Sequence, residues 1–161
     1  ASALRSGAGG LGASIQSIRT SPDFRRFLVS VATESVVVDL VRDRSPQVHV
    51  EKLDRDGVLV DPPAEILANK LCTLLSRGEV RDLVDVLFLE RAGLRVEDAI
   101  GPASNKDGGL TPAQLAWVLS QITIGSDARI PAGITPDELR AFLEDLVSRL
   151  TRLAWPAGSA S

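Results

Sequence analysis

Residues 66–91 read ILANKLCTLLSRGEVRDLVDVLFLER, and this stretch decides the fold. Apolar residues recur at helical spacing on both sides of Gly78, which predicts two helices separated by a turn. Six strongly polar side chains are interspersed among them: Asn69, Lys70, Arg77, Arg81, Asp82 and Asp85. Because an unpaired buried charge costs several kcal/mol, these groups must be partnered with each other or with a ligand.

The residues before this stretch are extended in character. Short β-branched segments, SIQSIRTS, FRRFLVSVA and ESVVVDLVRD, follow one another from residue 14 and predict three strands. QVHVEKL and GVLVD predict two further short strands around Asp54–Gly57. Asp61-Pro62-Pro63 then predicts a helix start with Asp61 as N-cap, since proline is tolerated in the first turn.

The residues after it remain helical. Thr111-Pro112 and Thr135-Pro136 each precede a Gln or Glu at the third helical position, which is the capping-box pattern. The chain is therefore predicted to be α+β, with a small N-terminal sheet followed by about five helices. The predicted division is a sheet region over 1–61, a helical region over 62–156 and a loose tail over 157–161.

Composition limits the function classes. The 161 residues carry a net charge of −3, so no general basic excess indicates nucleic acid, although a local basic patch is compatible with it. No apolar run approaches the roughly 20 residues of a membrane span, and no signal peptide is visible. Cys72 is the single cysteine, which suits a cytoplasmic location. The absence of methionine predicts an internal starting point or a removed initiator.

The charges on the two helices allow two interpretations. Lys70 and Arg77 share one helix face, and Arg81 and Asp85 are i, i+4 partners on the next helix. If the Gly78 turn folds the helices together, the groups meet across the seam. They then form either an ion-pair lock or a phosphate-facing Lys and Arg oriented by Asp82 and Asp85.

Two isolated residues have competing explanations. Asp39 interrupts the apolar strand VVVDLV, where a carboxylate binds a metal or a donor, or else faces water at a sheet edge. His49 is the only histidine and is predicted to lie on a strand face near solvent. No nucleophile motif surrounds a Ser or Cys, and no Cys/His spacing indicates zinc.

Residues 36–91 resemble the AbiEii/AbiGii-type nucleotidyltransferases, the toxin halves of bacterial toxin–antitoxin and phage-defence pairs. The elements that carry the resemblance are VVVDLVRD, DPPAEILANKL, the arginine of LLSRGE, and RDLVDVLFL. The resemblance implies a polymerase-β-like core with a helical C-terminal region. It further implies transfer of a nucleotide from an NTP, with magnesium, to an RNA or protein acceptor, and a cognate antitoxin as partner.

The resemblance also implies roles for individual residues. Asp39, Lys70, Asp82 and Asp85 would be catalytic, with Asp39 as the metal ligand. Lys70, Arg77 and Arg81 would bind the nucleotide. Asp39 and Lys70 would then border one cleft.

One family motif is missing from its expected place. The family has a Gly-Gly or Gly-Ser turn followed about a dozen residues later by Asp-x-Asp, but no Asp-x-Asp follows Gly9-Gly10 at that distance. Two-metal transfer needs several carboxylates around the ions. The chain is therefore expected to be part of a longer enzyme or a truncated, inactive relative that acts as a binding module. A third alternative is a domain whose charged helices are only a structural lock.

Overall fold

The structure, a computed structural model, describes residues 2–42, 44–128 and 130–155. The chain divides into two compact units, Ala1–Ser45 and Pro46–Ser161, and each is described by itself. The tail predicted over 157–161 lies outside the described residues. None of the helices in the described ranges combines the length and the apolar character needed to cross a bilayer.

The first unit is a helix followed by a three-stranded sheet. Helix α1 spans Ser2–Gly10, and strands β1, β2 and β3 span Ser14–Ser21, Phe24–Val31 and Glu34–Val41. The sheet is antiparallel in the order β1-β2-β3, so β3 is an edge strand. The three strands predicted from their β-branched patterns are confirmed.

The second unit begins with a hairpin and continues as helices. Strands β4 and β5 span Leu53–Arg55 and Val58–Val60. Five α-helices follow within its described residues: α2 Pro63–Arg77, α3 Val80–Arg91, α4 Val96–Lys106, α5 Pro112–Ser120 and α6 Pro136–Ala154. A short 3-10 helix covers Pro131–Gly133. The predicted α+β class, with about five helices after the sheet, is confirmed.

The helical core is made mostly of leucines at the predicted spacing. Side chains from α2 to α6 form one buried cluster that includes Leu71, Leu83, Leu115, Leu139 and Leu146. On α3 the spacing predicts an apolar stripe of Val80, Leu83, Val84, Leu87 and Phe88. That stripe was partly wrong, because Val86 is fully buried whereas Phe88 is 39% exposed and lies beside Arg91.

Two of the three predicted helix N-caps are confirmed. The hydroxyls of Thr111 and Thr135 accept hydrogen bonds from the backbone N–H of Gln114 and Glu138, each at 3.2 Å. The prediction that Asp61 caps α2 was wrong, since the N-cap is Pro62 without a side-chain bond. The Asp61 carboxylate instead pairs with Lys52 at the base of the β4–β5 hairpin.

A buried ion pair holds the segment before the hairpin. Glu65 and Lys106 have side chains only 1% and 3% exposed, and they form a direct pair. The second Glu65 oxygen accepts the backbone N–H groups of Val48 and His49 at 3.0 and 2.8 Å. The strand predicted over QVHVEKL was therefore largely wrong: the N–H groups of Val48 and His49 are satisfied by a carboxylate instead of a strand partner, and only Leu53 joins β4.

The turn between α2 and α3 depends on Gly78. Its backbone has φ +57° and ψ +36°, and its N–H donates to the Leu74 carbonyl at 3.0 Å. This left-handed conformation costs most residues other than glycine, asparagine and aspartate about 1–2 kcal/mol, since Cβ crowds the neighbouring carbonyl. The turn predicted at Gly78 is confirmed, and it positions the charged faces of both helices.

Gly78→Ala is expected to lower the free energy of unfolding by about 1–2 kcal/mol. A Cβ there would meet Ile122 Cγ1 at 3.7 Å, an ordinary contact, so the cost comes from the backbone. Urea unfolding measures the change. The matched control is Gly78→Asn at the same position, which should cost clearly less, because asparagine tolerates the left-handed conformation better than alanine does. Equal effects of the two substitutions would contradict the assignment.

Candidate functional site

The centre of the charged cluster is Asp82, at the start of α3, whose side chain is 1% exposed. Its Oδ1 accepts a hydrogen bond from Lys70 Nζ at 3.0 Å. Its Oδ2 accepts from Arg77 Nε at 3.0 Å, and Arg77 Nη2 reaches Oδ1 at 3.3 Å. One buried carboxylate therefore holds a lysine and an arginine from α2 side by side.

Lys70 is shared between two carboxylates of α3. It pairs with Asp85 as well as Asp82, and its side chain is 27% exposed. Burial lowers the pKa of Lys70, but the hydrogen bonds to Asp85 and Asp82 outweigh it, so the pKa lies above its ordinary value. The ammonium is thus positively charged at neutral pH and is held at a fixed place.

Arg81 reaches the cluster through a residue that the sequence analysis did not single out. Arg81 Nε lies 2.7 Å from Glu79 Oε2, and Arg77 Nε lies 3.5 Å from Glu79 Oε1. Arg81 was predicted to pair with Asp85, four residues later, but it points to Glu79 in the inter-helix link. The helical spacing could not reveal Glu79, because the residue belongs to neither stripe.

The predicted cluster of Lys70, Arg77, Arg81, Asp82 and Asp85 is therefore confirmed as an arrangement, with Glu79 added. Contacts from Lys70, two turns before the end of α2, to Asp82 and Asp85 require α3 to fold back along α2. What the residues do chemically stays a prediction at this point.

Asp39 lies in the first unit, on the edge strand β3. It pairs across the sheet with Arg26, whose Nε and Nη2 donate to Asp39 Oδ1 and Oδ2 at 2.8 and 2.7 Å. The hydrogen bond from Arg26 lowers the pKa of Asp39, so the carboxylate stays ionised. Of the alternatives considered for Asp39, the structure shows a carboxylate that binds a hydrogen-bond donor and lies on an edge strand. The cleft predicted between Asp39 and Lys70 stays a prediction, because the two residues belong to different units.

The described residues do not by themselves form a magnesium site. Both Asp39 oxygens are taken by Arg26. In the parts of the chain that the structure describes, no group of three or more His, Cys, Asp or Glu side chains is placed to hold a metal. Magnesium usually needs more than one carboxylate or a substrate phosphate. The metal role of Asp39 stays a prediction, and no chemical step is assigned to an ion.

A concavity of about 460 Å³ borders the cluster on the side of the Gly78 turn. Arg77 lines it together with apolar side chains such as Val80 and Ile122, and with the polar Gln121 and Thr123 that follow α5. Arg77, one of the three cations of the cluster, therefore lines a space large enough for a small organic ligand.

The chain is thus an α+β protein with a Lys–Arg–Asp cluster on a helix hairpin. It belongs to the family described as nucleotidyl transferase AbiEii toxin of type IV toxin–antitoxin systems, whose sequence model matches residues 5–159. The family resemblance inferred from residues 36–91 is confirmed. No curated protein and no solved structure matches the chain.

Proposed function

We propose that the Lys70–Arg77 pair binds the triphosphate of an NTP, in a protein that transfers the nucleotide to an RNA or protein acceptor. The observation that carries the proposal is that buried Asp82 holds both cations side by side. Two adjacent fixed cations suit a polyphosphate, because phosphate oxygens accept several charge-assisted hydrogen bonds. Family membership supports the reaction class.

Hydrogen-bond donors remain free on both cations. A lysine ammonium has three N–H groups, and Asp82 and Asp85 use two of those on Lys70. Arg77 donates to Asp82 through Nε and Nη2, and its other terminal nitrogen has no hydrogen-bond partner in the described ranges. The cluster therefore offers phosphate at least one N–H from each cation.

The partly exposed and the buried residues of the cluster have different roles in this proposal. Lys70, Arg77 and Arg81 contact phosphate, and buried Asp82 is a positioning residue. Asp85 is 46% exposed, so it can release Lys70 toward an incoming phosphate at small desolvation cost. Asp39 would supply a carboxylate for magnesium in the complete site. A cognate antitoxin is the proposed protein partner.

A second candidate function is nucleotide binding without transfer. It is favoured by the pairing of both Asp39 oxygens with Arg26. Incubation of the chain with labelled NTPs, magnesium and bulk RNA distinguishes the two candidates. Transfer that is abolished by Asp39→Asn would support catalysis, whereas binding without any labelled product would support the second candidate.

Lys70→Ala is expected to weaken NTP binding about tenfold or more, since a charge-assisted hydrogen bond is worth about 1.5–3 kcal/mol. The intact chain is expected to bind with a Kd of about 1 mM, or roughly −4 kcal/mol. Titration of each NTP followed by NMR line shifts measures this range. The matched control is Lys52→Ala, a lysine of the same unit that pairs with Asp61 instead.

Two outcomes decide the proposal. Loss of affinity in Lys70→Ala but not in Lys52→Ala, with partial rescue by Lys70→Arg, supports phosphate contact. Unchanged affinity in Lys70→Ala would leave the cluster as a structural lock, and the nucleotide proposal would be withdrawn.

A further inference from the structure

Positive charge is concentrated in the first unit of an otherwise acidic chain. Residues 1–45 contain six arginines, no lysine and four carboxylates, for a net charge of +2. Residues 46–161 account for the remainder of the total of −3, which is −5. This asymmetry means that the net charge of the first unit favours anions, whereas the net charge of the second unit does not.

Five of the six arginines lie at one end of the sheet, where the β1–β2 turn meets the end of β3. We call this region the arginine end; its arginines are Arg19, Arg25, Arg26, Arg42 and Arg44. The strand register produces the arrangement, because Arg26 pairs with Arg19 on one side and Asp39 on the other. Arg42 N–H donates to the Asp23 carbonyl at 2.8 Å, which brings the segment after β3 back to the turn.

Carboxylates neutralise only part of this charge. Asp39 forms an ion pair with Arg26, and Asp23 forms an ion pair with Arg44 at 2.8 Å. Within the described ranges, no carboxylate lies within the 4.0 Å ion-pair distance of Arg19, Arg25 or Arg42. Asp43 lies outside those ranges, and a single carboxylate can neutralise one of the three at most.

The arginine end also has a concave surface and an aromatic ring. A cavity of about 220 Å³ is lined by Phe24, Leu40 and Val41, by Asp23, and by Arg25 and Arg42. On the face of the sheet opposite Arg25, the guanidinium carbons of Arg19 and Arg26 lie 5.8 and 5.5 Å from the centre of the Phe24 ring. Arginine forks match phosphate oxygens, and arginine and phenylalanine planes stack on nucleobases.

We propose that the arginine end binds the sugar-phosphate backbone of a single-stranded nucleic acid, with Arg25 and Arg42 as phosphate contacts. The inference goes beyond nucleotide transfer and does not rest on it, since none of its residues belongs to the Lys70 cluster. An acidic protein segment would also pair with the cations, but the use of arginine alone, with no lysine in residues 1–45, suits phosphate forks and base stacking together.

The test is fluorescence anisotropy with a labelled single-stranded oligonucleotide of about 15 nucleotides, once as RNA and once as DNA. Arg25→Gln/Arg42→Gln in the full chain is expected to weaken binding about tenfold or more in low salt. The slope of log K against log salt should fall by about 1.4, because each single-strand phosphate contact contributes about 0.7. The control is Arg95→Gln/Arg152→Gln, which removes two exposed arginines of the second unit and should change binding less than about twofold.

The outcomes separate the possible sources of the anion. The proposal is overturned if Arg25→Gln/Arg42→Gln and Arg95→Gln/Arg152→Gln lose the same affinity for the oligonucleotide, or if Arg25→Gln/Arg42→Gln loses none. Competition by polyglutamate at matched charge, as strong as competition by unlabelled oligonucleotide, would assign the surface to an acidic protein and also overturn it. Competition by unlabelled oligonucleotide but not by polyglutamate supports the proposal, and the stronger of the RNA and DNA probes then identifies the preferred backbone. NTP affinity measured in the same variants stays unchanged if the two sites are independent.

Discussion

Asp82→Ala lowers the free energy of unfolding by about 2–5 kcal/mol, because it leaves two cations beside a buried space without their shared counter-charge. Asp82 is 1% exposed and accepts three hydrogen bonds from Lys70 and Arg77. Urea unfolding at pH 7, followed by circular dichroism, measures the change.

The matched control is Asp85→Ala on the same helix. Asp85 also pairs with Lys70, but its side chain is 46% exposed, so its loss should cost about 1 kcal/mol or less. If both substitutions cost less than about 1 kcal/mol, the cluster would not stabilise the α2–α3 hairpin. Asp82→Ala/Lys70→Met should recover part of the loss, since the ammonium that Asp82 no longer neutralises is then replaced by an apolar side chain.

Glu65→Gln is expected to destabilise the second unit by about 3–5 kcal/mol, because Lys106 is left as a buried charge. The two side chains are 1% and 3% exposed. Lys106 Nζ also donates to the Pro46 carbonyl at 2.7 Å, so the pair holds residues 46–49 against α2 and α4. Thermal unfolding measures the loss, and Glu65→Leu/Lys106→Met should be less destabilised than the single variant. A double variant as unstable as Glu65→Gln would contradict this account.

The Glu65–Lys106 pair also makes the free energy of unfolding depend on pH. Burial raises the pKa of Glu65, but hydrogen bonds from Lys106 and from the N–H groups of His49 and Val48 outweigh it, so the pKa lies below the ordinary 4.5. A folded-state pKa below the unfolded value contributes stability that is fully present above about pH 4.5. That contribution is lost as pH falls through the folded pKa. Glu65→Gln should therefore show a shallower loss of stability with acid than the parent chain.

The sequence was sufficient where a local rule decided the structure. Gly78 and the two Thr-Pro starts mark helix ends correctly, because capping depends on a few adjacent residues. The polar residues interspersed in 66–91 predicted a cluster across one turn, because their spacing places them on facing sides of two helices. Arg81 was assigned the wrong partner, since its spacing to Asp85 carries no information about Glu79 in the turn.

Long-range contacts explain the remaining errors. The segment QVHVEKL has a strand-like composition, yet its backbone binds Glu65, sixteen or seventeen residues away along the chain. Asp61 looked like an N-cap, but Lys52 offered a charged partner. Arg26 could not be predicted as the partner of Asp39, because strand register depends on the turn between β2 and β3. No local pattern encodes any of these pairings.

The partners around Asp82 are close together along the chain as well as in space. The outermost pair, Lys70 and Asp85, is separated by fifteen residues, and the link between the helices is only Gly78 and Glu79. Closing such a short loop costs little chain entropy, so these contacts can form early and independently of distant segments. The geometry of the two cations is therefore a property of one helix hairpin, and substitutions elsewhere in the chain can accumulate without moving Lys70 relative to Arg77.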